Sequence, residues 1–169
     1  MSKLIVVEND RVEGTDKHYV AGPAKNTKTG PPTVPNKWIG DFDYVGKMTG
    51  QLSDFVKIDG KSVALNSSKS SLNPGQDASP EGKHSGPMGG NLIPTADLTN
   101  PDPAEPNKLK ITDQIGEGTP SATSGSSFVK VNGTELLLDS DQIDTCDGMG
   151  VPMNSTVTAE NQDFVSCSE

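Results

Sequence analysis

The chain has little of almost everything that usually announces an activity. Aromatic residues fill 4% of its 169 positions and hydrophobic residues 31%, so the core must be thin and the fold must lean on turns and short strands. Basic residues are outnumbered 14 to 23, the formal charge is −9, and Arg11 is the one arginine. A phosphate backbone requires several Lys or Arg on one face, which excludes nucleic acid as a partner class. Long hydrophobic runs are missing too. The longest are LIVV at 4–7 and LLL at 136–138, far short of a membrane span. Lys3 precedes only four apolar residues, too few for a signal peptide, so synthesis in the cytoplasm without an export signal is expected. Two cysteines, Cys146 and Cys167, allow a single disulfide, which a reducing cytoplasm disfavours; free thiols or metal ligands remain.

What the chain does have is turn formers, 18 Gly and 13 Pro. No segment longer than about ten residues has helical periodicity, and the class predicted is all-β with long Pro/Gly-rich loops, in a single domain over 1–169. KNTKTGPPTVPNKW at 25–38 reads as a Pro-rich loop, and DFDYVGKMT at 41–49 as a strand bent or bulged at Gly46. A loop insertion is expected around 73–125, with one strand candidate in KLKIT at 108–112. STVTAENQDFVSC at 155–167 reads as a final hairpin.

The strongest local signal is a pair of stretches, FVKIDGKSVAL at 55–65 and FVKVNGTELLL at 128–138. Asp59-Gly60 and Asn132-Gly133 are the dipeptides that favour a type I′ turn, whose twist matches antiparallel strands. Counting outward pairs Val56 with Val63, Ile58 with Lys61, Val129 with Leu136 and Val131 with Thr134 on one face. The other face then pairs Phe55 with Ala64 and Phe128 with Leu137. Phe55, Phe128, Val56 and Val129 are therefore candidates either for a core face or for a docking face. At an offset of 73 the copies agree at seven of fifteen positions (Ser53, Phe55, Val56, Lys57, Gly60, Leu65 and Ser67 against their partners), which marks an internal repeat.

Candidate chemistry is sparse. His18, His84, Cys146 and Cys167 are the only imidazoles and thiols, and together they would complete a closed tetrahedral zinc site. No CxxC or HxxxH pair accompanies them, and two exposed histidines with two small buried thiols is the plain alternative. Enzyme readings find no flanking motif. GPMGG at 86–90 lacks the Lys-Ser/Thr of a phosphate loop, and the acidic loops lack the EF-hand spacing. No catalysis and no small-molecule substrate are expected.

The two copies, GSSFVKVNGTELLLDSDQIDTC and LSDFVKIDGKSVALNSS, resemble PAAR proteins, the tips of contractile injection machines. The lead GPPTVPNKWIGD is similar to the PAAR-like branch of type VI secretion systems and phage-tail-like extracellular injection particles, and the Pro-Ala-Ala-Arg tetrapeptide itself is absent. The resemblance implies a short cone of β-hairpins with a pseudo-three-fold base. That base would dock on a trimeric VgrG-like spike, with the target-cell membrane met only transiently on puncture. It further implies an apical structural Zn2+ held by His18, His84, Cys146 and Cys167. The hairpin pattern runs close to both ends of the sequence, so a plain tip with no appended effector is expected. The alternative of another class is a small β-rich cargo protein or adhesin that binds a cell-surface ligand through its loops.

Overall fold

The structure, a computed structural model, describes residues 2–26, 30–73, 93–94, 98–99, 110–111, 116–145 and 153–168. It is all-β, and its centre is a closed six-stranded antiparallel barrel. Around the barrel run β2 (Arg11–Asn26), β3 (Gly30–Gly50), β6 (Lys69–Leu72), β10 (Glu117–Pro120), β13 (Gln142–Thr145) and β14 (Ser155–Thr158), and β14 pairs with β2 to close the ring. Closure leaves the barrel without free edges, a benefit to a chain with a thin core.

Beneath the barrel lies a ring of three short segments, and here the internal repeat takes on its meaning. Residues 5–7, 63–65 and 136–138 bridge one another head to tail: Val7 with Val63, Leu65 with Leu136, and Leu138 with Ile5. Their middle residues close a cycle. The Val6 N–H donates to the Leu137 carbonyl (3.0 Å), Leu137 to Ala64 (3.0 Å), and Ala64 to Val6 (2.9 Å). A second cycle surrounds the first, with Glu8 donating to Ser62, Asn66 to Glu135, and Asp139 to Leu4. The molecule therefore has three equivalent units related by a pseudo-three-fold axis.

Side-chain alternation along each triangle segment builds two cores. Val6, Ala64 and Leu137 point into the barrel, where they join Val12, Tyr44, Met48, Leu72, Ile143 and Val157. Their neighbours Ile5, Val7, Val63, Leu136 and Leu138 point the other way and pack with Ile58 and Val131. This explains why the segments read LIVV, VAL and LLL: a strand buried on both faces needs a continuous apolar run rather than an alternating one.

Each unit leaves the triangle through the same turn. Asp10, Ser68 and Asp141 accept the backbone N–H three residues back, from Val7 (2.7 Å), Leu65 (2.8 Å) and Leu138 (2.8 Å) respectively. Short polar side chains that bond their own backbone stop one strand and start the next, here β2, β6 or β13.

Inside the barrel, glycines let strands and side chains approach closely. A Cβ on Gly118 would lie 2.3 Å from Ser70 Oγ, and one on Gly46 would lie 2.5 Å from the Ser71 carbonyl and 2.7 Å from the Tyr44 ring. Tyr44 and Ser70 fill this space and share a 2.8 Å hydrogen bond. Gly46 marks this close approach and not a bulge; the irregularity in β3 falls between Met48 and Gly50.

Three expectations need correcting. The Pro-rich segment is no loop: β2 and β3 pair as far as Asn26 and Gly30, with Pro23 opposite Pro35. Proline costs a ladder only the bond its own N–H would have made, so positions facing away from a partner tolerate it. The 73–125 insertion is not all loop either. β9 (Lys110–Ile111) is the strand expected in KLKIT and pairs with β2, but β7 (Ile93–Pro94) also pairs with β3, β8 (Leu98–Thr99) pairs with β2, and β10 belongs to the barrel; the other residues of 74–115 lie outside the described residues. Finally, β14 does not turn back on the last strand; its partners are β13 and β2.

Candidate functional site

On the side of the triangle away from the barrel stand three small hairpins, one per unit. β4 (Lys57–Ile58) pairs with β5 (Lys61–Ser62), and β11 (Lys130–Val131) with β12 (Thr134–Glu135). Their turns are of type I′, with positive φ at Asp59 (49°) and Gly60 (78°) and at Asn132 (50°) and Gly133 (85°). Lys130 Nζ donates to Glu135 Oε1 at 2.6 Å, and this bond holds the Glu135 carboxyl below its usual range. Both groups are open to water, so the pair adds little to stability.

The third hairpin is made by the two ends of the described chain. β1 (Ser2–Leu4) pairs with β15 (Ser166–Ser168), Leu4 opposite Ser166 and Ser2 opposite Ser168. It occupies the place of the other two, but no turn joins its strands. Its outer arm, Asp163-Phe164-Val165-Ser166-Cys167, corresponds to Asp54-Phe55-Val56-Lys57-Ile58 and to Ser127-Phe128-Val129-Lys130-Val131.

Ahead of each hairpin a polar side chain folds the chain into a fixed turn. Ser53 Oγ accepts the Val56 N–H (3.1 Å) and Ser126 Oγ the Val129 N–H (3.1 Å). Gln162 Oε1 accepts the Val165 N–H at 2.8 Å in the same place. The turn redirects the strand, so Phe55 does not face Ala64 and Phe128 does not face Leu137. Ser53 N–H instead bonds Val63, Ser126 N–H bonds Leu136, and Ala64 and Leu137 belong to the triangle. The phenylalanines are left pointing outward. Phe55 is 64% exposed, Phe128 75% and Phe164 66%.

Val56 and Val165 pack against the hairpin-side core, while Val129 remains partly exposed. Three large apolar side chains, each in the same position of its unit, therefore surround the three-fold axis. No family model, curated protein or solved structure matches this chain. The face must be read from its own geometry.

The remaining candidates are the His and Cys residues. His18 is buried on β2, its ring edge-on to Phe42 at 5.6 Å between centroids, with Nε2 3.6 Å from Asp16 Oδ2. Asp16 in turn accepts hydrogen bonds from Thr145 Oγ1 (2.5 Å) and Asn154 Nδ2 (2.5 Å), which form a polar layer within the barrel. Cys167 lies elsewhere. It pairs with Lys3 in the open hairpin and packs on the apolar cluster of Ile5, Val7 and Leu138, in the position that Ile58 and Val131 hold in the other units. The β-triangle separates it from His18. His18 thus belongs to the barrel side and Cys167 to the hairpin side, where it packs as part of the third hairpin's core. His84 and Cys146 lie outside the described residues, and among the described residues no three His, Cys, Asp or Glu side chains gather around one point.

Proposed function

We propose that this protein is a PAAR-like spike tip: a structural cap that seats on a trimeric VgrG-like spike and sharpens it for membrane puncture by a contractile injection machine. The observation that carries the reading is the closed ring of hydrogen bonds through Val6, Ala64 and Leu137, which gives one chain an approximate three-fold axis. A single polypeptide can contact all three subunits of a trimer's end equivalently by repeating itself three times around the trimer's axis, because each partner subunit offers the same surface. The sealed barrel suits a mechanical role, since every strand of it has two neighbours and no edge from which to peel. Co-purification tests the reading. Mixed with a trimeric VgrG-like spike, the protein should elute as one tip chain per three spike chains. A spike that elutes alone, at concentrations where such tips saturate, would remove the proposal.

The zinc expectation narrows with the site. Zinc near the apex, as the resemblance implies, would draw on His18, His84 and Cys146 and leave Cys167 aside. Cys167→Ser should therefore leave the metal content of the purified protein unchanged, whereas Cys146→Ser should lower it. Loss of metal from the Cys167 variant would restore the four-residue set and count against the layer separation described above.

A further inference from the structure

The side chains that would grip a trimeric partner can be named, and one of them lies in the hairpin formed by the chain ends. We infer that Phe55, Phe128 and Phe164 are three equivalent anchors, each seated in one apolar socket of a three-fold symmetric homotrimer. This inference rests on the tip reading and extends it to particular residues and a particular mode of recognition.

Several observations converge. All three phenylalanines are strongly exposed in a chain with only four Phe, and the fourth, Phe42, is buried. Each follows the residue that forms the turn, so its backbone is fixed before any partner arrives. Phe128 N–H bonds Ser126 Oγ and Phe164 N–H bonds Gln162 Oε1, in addition to the valine bonds of all three units. With the backbone already set, docking need order only the two torsions of each ring, a small entropic cost for an interface anchor.

Charge points to the same occupant. The hairpin segments 53–62, 126–135, 2–4 and 162–168 contain four acidic residues (Asp54, Asp59, Glu135, Asp163) and four basic ones (Lys3, Lys57, Lys61, Lys130), so the face is neutral on a chain of net charge −9. A neutral surface lacks the electrostatic attraction that nucleic acid or an anionic membrane would require. It is complementary to a protein surface with apolar sockets and balanced charge. Because the knobs repeat around one axis, the partner that fills all three at once is a trimer with the same symmetry.

The test is a titration of wild-type tip and its Phe→Ala variants against a purified trimeric VgrG-like spike, read by calorimetry and light scattering. One tip should bind per trimer. Each of Phe55→Ala, Phe128→Ala and Phe164→Ala should weaken binding about tenfold, to within a factor of about three of one another, without lowering the melting temperature. The triple Phe→Asp variant should show no binding. A triple variant that binds like wild type, or one phenylalanine that carries nearly the whole effect, overturns the inference while leaving the tip reading in place. Wild type that fails to bind the trimer overturns both. Self-association of wild type that the triple variant abolishes would identify a second copy as the occupant and overturn the inference as well.

Discussion

Asp10→Ala is expected to destabilise the protein by about 3 kcal/mol or more. The carboxylate is buried, and it accepts four hydrogen bonds. One oxygen takes the Val7 N–H (2.7 Å); the other takes the N–H groups of Glu160 (3.0 Å) and Asn161 (2.9 Å) and Asn161 Nδ2 (2.9 Å). Asp10 thus clamps the first triangle segment to the loop that leads into the third hairpin, 150 residues later in the chain. Alanine would leave those donors without their acceptor, and each stranded buried donor costs about 1–3 kcal/mol unless water reaches it. The equivalent residues provide an internal scale. Asp141 accepts from Leu138 and Gly125, and Ser68 accepts from Leu65 and donates to the Gln51 carbonyl. Ser68→Ala should cost only about 1 kcal/mol. Urea unfolding of the three alanine variants should rank them Asp10, Asp141, Ser68. Equal losses at Asp10 and Ser68 would mean that the Asp10 clamp contributes nothing beyond its own turn.

The second large effect concerns the centre of the ring. Val6, Ala64 and Leu137 are equivalent by the pseudo-symmetry, are fully buried, and enter the barrel core at one level. They differ in size, so they divide one space unequally. Leu137→Ala should cost about 2–5 kcal/mol through lost burial and the cavity left behind. Ala64→Leu should cost about 1–3 kcal/mol by overfilling. Combined, the two changes restore the total volume with the leucine moved by one third of a turn. The double variant should be more stable than the sum of the single losses by about 1–3 kcal/mol. Strict additivity in thermal or urea unfolding would show that the two positions do not share a cavity, and the three-fold packing argument would fail with it.

How much of this was legible in the sequence depended on whether local chemistry declared it. Asp59-Gly60 and Asn132-Gly133 fixed two hairpins because a type I′ turn is specified by two adjacent residues. The third hairpin has no such dipeptide. Asp163-Phe164-Val165 repeats Asp54-Phe55-Val56, but its partner strand lies at residues 2–4, where no local rule points. Phe164 was missed for that reason, and nothing local marked Cys167 as the counterpart of Ile58 and Val131. The Pro-rich stretch failed differently. Proline content describes what a residue lacks, whereas pairing depends on which N–H groups a particular register needs. The buried layer of Asp16, His18, Thr145 and Asn154 joins residues from three separate strands and turns, and no spacing along the chain could have signalled it.

The open hairpin also sets the order in which the molecule can be made. Ser2 Oγ meets Ser166 Oγ across a separation of 164 residues, and Ile5 N–H waits for the Val165 carbonyl. The first triangle segment in the chain is therefore among the last to be completed, and the ring cannot close before residues 136–138 and Val165 are in place. Long-range pairings of this kind slow folding, because the loop must be closed before any contact rewards it. Until then LIVV at 4–7 is an apolar strand without neighbours, in need of shelter from other nascent chains. The symmetry that joins the three units therefore ties completion of the first to the arrival of the last, so the ring forms as one late, cooperative event.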